Sequence, residues 1–223
     1  MGNCVQESIM KIVAIITARI KSERLQGKAL MNIRGKPMLW HVVNRVKASM
    51  VDEVVVATTK KDKEIKAFCA DNNISLYAGS EEDILERLYH ASRRAEADIV
   101  VRVWGDCPLI DPVIIDETIR CYLNEDFMYV TNAGYPTGLN VAVISFGALK
   151  KAHRAMKDPE ERHWIHKYFI ENLDSHKIGV WNYTPDLSYL QWSVDYQKDM
   201  DFVRGVYNKF FPRTIFGMKE ILK

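Results

Sequence analysis

Lys11-Ile12-Val13-Ala14-Ile15-Ile16-Thr17 runs directly into Ala18-Arg19-Ile20-Lys21-Ser22-Glu23-Arg24-Leu25-Gln26-Gly27-Lys28. The first half contains Val13 to Thr17, a continuous apolar, largely β-branched run of the kind found in strands covered on both faces. The second half is a loop with four basic side chains and one acidic one between Arg19 and Lys28. Similar runs recur at Val54 to Thr58 and Ile99 to Val103, and Ile74 to Tyr77 reads as a further strand. Between them lie helix-period segments. Pro37 suits a first helical turn, and Leu39, Val42, Val43 and Val46 follow at i, i+3, i+4, i+7. Lys63 to Ala70 is a shorter helix. Ser80-Glu81-Glu82-Asp83 reads as a capping box opening a helix with Ile84, Leu88, Ala91 and Ala95 on its apolar side, and Asp111-Pro112 opens another. Alternating strands and helices specify an α/β fold with an open, mainly parallel sheet. Ligands in such folds bind beyond the carboxyl ends of the strands, so the functional loops should follow Thr17, Thr58 and Val103.

After residue 125 the pattern shifts to Phe127 to Thr131, Asn140 to Ile144, helices over Phe146 to Met156 and Trp164 to Asn172, then Ile178 to Tyr183 and Leu190 to Val194 as further strands. This half reads as mixed rather than parallel. The chain has 223 residues with no Gly/Ser/Pro-rich linker and no internal repeat, so residues 10–223 are expected to form one domain behind a loose leader, residues 1–9. Charge is balanced at 31 basic and 29 acidic side chains, which excludes a global field for nucleic acid or anionic lipid and makes any anion site local. No apolar run approaches the roughly 20 residues of a membrane span. Gln6 stands where a myristoylation motif requires Ser or Thr. Four cysteines without C-x-x-C or zinc spacing fit a reducing cytoplasm.

Three segments can carry chemistry. The basic loop suits a polyphosphate: Arg offers forked donors, Lys a compact charge, and Gly27 close backbone approach, although the same composition also describes a solvated loop. In Gly105-Asp106-Cys107-Pro108-Leu109-Ile110-Asp111, Asp106 is placed to bind Mg²⁺ at a strand's carboxyl end, whereas Asp111 reads as a helix cap. Cys107 has no recognisable base beside it and reads as a small buried side chain. Trp192-Ser193-Val194-Asp195 ends in a carboxylate that pattern alone makes an N-cap and that could also reach the same ion. His163 and His166, at i, i+3, read as surface histidines. The tryptophans are not interleaved with basic residues as on a single-stranded nucleic-acid platform.

Taken in order, Arg19, Ser22, Arg24, Leu25, Gly27 and Lys28, then Gly35-Lys36-Pro37-Met38-Leu39, Val56-Ala57-Thr58-Thr59, Gly79-Ser80-Glu81-Glu82-Asp83-Ile84-Leu85-Glu86-Arg87, Gly105 to Asp111, Tyr135-Pro136-Thr137-Gly138-Leu139 and Val194-Asp195 resemble the cytidylyltransferase family. That family includes the spore coat polysaccharide biosynthesis protein F group and the acylneuraminate and deoxy-manno-octulosonate cytidylyltransferases. The resemblance covers residues 11 to about 210. It implies a nucleotide-diphospho-sugar transferase-like, Rossmann-like three-layer sandwich and a Mg²⁺-dependent nucleotidyltransferase. The substrates it implies are CTP, or another nucleoside triphosphate, and a small sugar-like acceptor, with diphosphate released. By position, Arg19, Ser22, Arg24, Gly27 and Lys28 would hold the triphosphate, with Ser80, Arg87 and Trp104 nearby. Asp106 and Asp195 would coordinate Mg²⁺, and Tyr135 and Asn140 would face the acceptor. By the same resemblance, Arg19, Lys28 and Asp106 would form the catalytic set. A homodimer is also expected, since the second half carries more short β segments and aromatics than a compact monomer needs.

The pattern departs from the family at four places. Gln26 replaces a usual Pro, which should loosen the phosphate loop. Trp104 replaces a small or amide side chain before Gly-Asp, which should reshape the base pocket. Asn140 and Ala142 stand in a segment that resembles Gly-Leu-Asp-Val-Glu-Val, and so remove two carboxylates on the acceptor side. His163-Trp164 departs from a usual Glu-His. Two other readings therefore stand beside transfer of a nucleotidyl group: a nucleotide-sugar-dependent glycosyltransferase of the same fold class, and a nucleotide-binding protein with weakened or lost turnover.

Overall fold

The computed structural model describes residues 10–223, and the leader read over residues 1–9 lies outside them. The strands are β1 (Ile12–Thr17), β2 (Asn32–Ile33), β3 (Lys36–Pro37), β4 (Glu53–Thr59), β5 (Ser75–Gly79), β6 (Ile99–Trp104), β7 (Tyr129–Ala133), β8 (Ala142–Ser145) and β9 (Ile178–Asn182). The helices are α1 (Met38–Val46), α2 (Lys63–Asp71), α3 (Ile84–Arg94), α4 (Pro112–Asn124), α5 (Phe146–Ala155), α6 (Ile165–Asn172), α7 (Gln197–Phe210) and α8 (Met218–Ile221). Seven strands form one sheet in the order β5-β4-β1-β6-β8-β7-β9, while β2 and β3 form a separate hairpin. β8 runs antiparallel to both β6 and β7, and the other pairings in the sheet are parallel. The two halves of the chain therefore meet at β6 and β8.

Alternation along β1 explains the three layers. Ala14 and Ile16 pack with α1, α2 and α4 on one face, through side chains such as Val42, Ile65 and Ile115. Val13 and Ile15 pack with α3, α5 and α6 on the other, through Leu88, Leu149 and Phe169. Strands covered on both sides can be β-branched throughout, and this is why the first run has no polar alternation. A third apolar cluster lies at one end, where Met200, Val203 and Tyr207 of α7 pack on Ile33, Met38, Leu109 and Trp192. No helix among the described residues is long and apolar enough to cross a membrane.

The structure corrects three local expectations. Leu190 to Val194 forms no strand of the sheet. Among the described residues its only β contact is an isolated bridge between Thr137 and Gln191, because Trp192 and Ser193 N–H both donate to the single carbonyl of Thr137. Ser80 does not cap α3. Asp83 does, accepting from Glu86 N–H at 2.8 Å, while the Ser80 hydroxyl accepts from Asp83 N–H one turn earlier. Pro37 ends β3 and flanks α1 instead of entering its first turn. The hairpin before it turns on Arg34 and Gly35, both at positive φ, with Gly35 N–H donating to the Asn32 side chain. Asp111 caps α4 as expected, accepting from Val113 N–H, and its second oxygen accepts from Met218 N–H to fasten α8.

Candidate active site

β1, β4 and β6 end side by side, so the loops after Thr17, Thr59 and Trp104 converge, as expected of a parallel sheet. Gly105 is what lets the first and third of these touch. Its N–H donates to the Thr17 carbonyl at 2.9 Å, and a Cβ there would stand 2.8 Å from the Ala18 Cβ. The basic loop is anchored at its start by Asp62, a buried residue that the sequence reading did not single out. Its carboxylate accepts from Ile20 N–H and from the hydroxyls of Thr58 and Thr59. Burial opposes ionisation, but those hydrogen bonds outweigh it and hold the Asp62 carboxyl below the usual range.

Two clefts open along this edge. The smaller, ≈ 190 Å³, is lined by Arg19, Ser22, Arg24, Lys28, Arg87 and Trp104 among others. The larger, ≈ 410 Å³, lies over β6, β8 and α6 and includes Arg102, Thr131, Asn140, His166 and Phe169. Arg24, Trp104 and Asp106 belong to both walls. At this junction Lys28 Nζ donates to Asp106 Oδ2 at 2.9 Å, to Asp195 Oδ1 at 3.2 Å and to the Val194 carbonyl at 2.6 Å. Arg24 donates to the same Asp195 oxygen at 2.7 Å. Asp195 is free for this because Asp199 caps α7 in its place, accepting from Asp195 and Tyr196 N–H. The pattern-based reading of Asp195 as the cap is therefore replaced by Asp199, four residues on.

The remaining candidates fall on both sides of the line. Gly27 turns the loop at φ +69° and is followed by a single 3-10 turn, Lys28–Leu30, that carries Lys28 inward. Asn140 lines the larger cleft, and its Oδ1 accepts from Gly138 N–H. Gly138, at φ +108°, brings the chain so close to Ser193 that a Cβ would stand 2.5 Å from its nitrogen. Tyr135 lines neither cleft: it is buried in the third apolar cluster beside Tyr183, and burial pushes its hydroxyl up to about 12. Ser80 is also outside both linings; its carbonyl instead accepts from Arg87 Nη1. Cys107 is buried behind Asp106, and burial with that carboxylate raises its thiol well above the ordinary value, the opposite of an activated nucleophile. His166 reaches the larger cleft, whereas His163 faces the Pro159 carbonyl.

Two buried arginines of the site have an unpartnered Nε. Arg87 still donates through Nη1 to the carbonyls of Ser80 and Glu81. Arg102, 7% exposed, has no ion-pair partner among the described residues. Its guanidinium lies 4.6 Å over the Trp104 ring. A cation–π contact contributes about 2 kcal/mol when desolvated, against several for burying a charge unpaired. Burial lowers the Arg102 pKa to about 10, which leaves it charged at neutral pH.

A parallel-sheet edge with cations on one cleft, carboxylates at the junction and a second cleft beyond can hold an anionic ligand beside a second one, and the fold is the one seen in nucleotidyltransferases of the nucleotide-diphospho-sugar transferase type. Residues 13–197 match the family model described as cytidylyltransferase, and the chain belongs to that family. It is 25% identical over 224 residues to the spore coat polysaccharide biosynthesis protein SpsF of Bacillus subtilis, covering 95% of this chain and 92% of that one. It is 46% identical to the 3-deoxy-manno-octulosonate cytidylyltransferase of Geotalea daltonii over 111 residues, so the match spans 49% of this chain and 44% of that enzyme. The solved structure of a cytidylyltransferase from Leptospira borgpetersenii superposes with a TM-score of 0.90 at 27% identity, covering 96% of this chain and 93% of that one.

Proposed function

We propose that the protein transfers a cytidylyl group from CTP to a hydroxyl of a sugar acid or related small acceptor, releasing diphosphate, in glycan or polysaccharide biosynthesis. The observation that carries this reading is the junction: Lys28, Asp106 and Asp195 meet where the cation-lined cleft opens into the larger one. CTP occupies the smaller cleft with its phosphates against Arg19, Ser22 and Lys28, and the acceptor occupies the larger one beside Asn140 and Thr131. The acceptor oxygen attacks the α-phosphorus in line. An oxygen–phosphorus bond forms, the bond to the leaving diphosphate breaks, and the hydroxyl proton leaves to water through the open cleft. Arg19 and Lys28 neutralise the charge gathering on the diphosphate, and Arg24 holds Asp195 in place.

Asp106 and Asp195 fit a Mg²⁺ site. Both present an oxygen to the same Nζ, so they converge on one point. Mg²⁺ takes one or two carboxylates and completes its shell with water and substrate phosphates, which suits a site where no cluster of three or more His, Cys, Asp or Glu exists among the described residues. When bound, Mg²⁺ would supply charge neutralisation at the phosphate oxygens. The test is diphosphate release from CTP with Mg²⁺ and a panel of sugar acids. Release that depends on both CTP and one acceptor class is the expected result. CTP binding without release across the panel would favour a nucleotide-binding protein, for which Asn140 and Ala142 are the motivating departures.

A further inference from the structure

We infer that Arg102 is a carboxylate-recognition site in the floor of the larger cleft, and that the acceptor presents a carboxylate there. This deepens the proposed function and rests on it for the identity of the cleft. Arg102 lies on β6 directly across from Ala142 of β8 in the antiparallel register. It shares its sheet face with Tyr129 and Ile144, and these residues line the cleft together. A methyl group is therefore its cross-strand neighbour, where a carboxylate side chain would have neutralised it. Among the described residues no protein atom accepts a hydrogen bond from its guanidinium, and Nε is buried without a partner.

A cation so enclosed, and fixed by Trp104 against one wall, is an incomplete ion pair whose other half comes from outside the fold. The charge count selects the anion. Arg24, the other guanidinium of this cleft, is already paired with Asp195, and Lys28 pairs with Asp106 at the mouth. One free guanidinium, with the two carboxylates at the mouth already paired, suits a planar monoanion better than a dianionic phosphate. The missing carboxylate at Ala142 is then what opens the floor to the ligand.

The site is read directly from the Arg102 Nε–Hε signal in ¹⁵N NMR, assigned with Arg102→Lys and titrated with acetate, acetamide and inorganic phosphate. Acetate should shift the signal saturably, at least about tenfold more tightly than acetamide, since charge-assisted, two-point hydrogen bonds are lost with the charge. Ala142→Glu should abolish that response by pairing Arg102 internally, while thermal stabilisation by CTP stays at its wild-type value. Equal responses to acetate and acetamide, no response, or a tighter response to phosphate would overturn the carboxylate assignment, as would an unchanged acetate response in Ala142→Glu. Loss of CTP stabilisation in the wild-type chain, with the acetate response intact, would count against the proposed function alone.

Discussion

Asp106→Asn lowers the rate of diphosphate release by about a hundredfold to a thousandfold, the scale on which removal of one preorganised group from a transition state is felt. The substitution keeps the side chain's shape and an oxygen within reach of Lys28 Nζ, now 2.9 Å from the carboxylate. The fold around it is held by other atoms. Val194 N–H donates to the Asp106 carbonyl, and Cys107 N–H donates to that of Trp104. The melting temperature should therefore move by no more than a few degrees, and Mg²⁺ should no longer enhance CTP binding. Turnover within tenfold of wild type would remove Asp106 from the chemistry and with it the junction as the reacting centre.

Arg45→Met destabilises the protein by about 3–5 kcal/mol, the largest stability loss we expect from a single site that lines neither cleft. Arg45 projects from α1 and is fully buried. Its Nε donates to the Ile110 carbonyl at 2.6 Å, Nη1 to Thr214 at 2.9 Å and Nη2 to Phe216 and Leu109. The side chain ties the loop that continues from Asp106 to the segment before α8. A methionine fills the volume and leaves those carbonyls without donors, each costing about 1–3 kcal/mol before local relaxation. Urea denaturation should show the midpoint falling with little change in slope, together with a melting temperature lower by roughly 10 °C for a chain of this size. A loss below 1 kcal/mol would mean that water replaces the guanidinium without cost.

The parallel half of the sheet was legible because its strands are buried on both faces, and that demand writes continuous β-branched runs into the sequence. The basic loop, Asp106 and the cap at Asp111 were legible for the same local reason: each follows a strand or opens a helix within a few residues. What was not legible depends on partners far along the chain. Arg45 stands off the apolar stripe of its helix and looks like an ordinary surface cation in sequence, while Arg102 is a single charge inside an apolar strand run with no partner beside it in the chain. Their burial follows from the segment around Phe216 in one case and from the antiparallel register of β8 in the other. Asp62 carried a usable signal in Thr58-Thr59-x-x-Asp62, a turn in which hydroxyls and a carboxylate can bond locally. The family resemblance implies Tyr135 on the acceptor side, but its ring turns into the cluster with Trp192 and Val194. Leu190 to Val194 has a strand's composition, yet beside Gly138 the N–H groups of Trp192 and Ser193 share the Thr137 carbonyl, which limits the pairing to one bridge.

The most direct test of the central claim, that the Arg19 to Lys28 cleft holds CTP against the Asp106 and Asp195 junction, is thermal stability with CTP, UTP, GTP and ATP, each with and without Mg²⁺. A ligand at a hundred times its dissociation constant adds about 2.7 kcal/mol. Stabilisation by CTP above the other three, increased by Mg²⁺ and lost in Lys28→Ala, is the expected result. Equal curves for all four nucleotides and for buffer alone would contradict it.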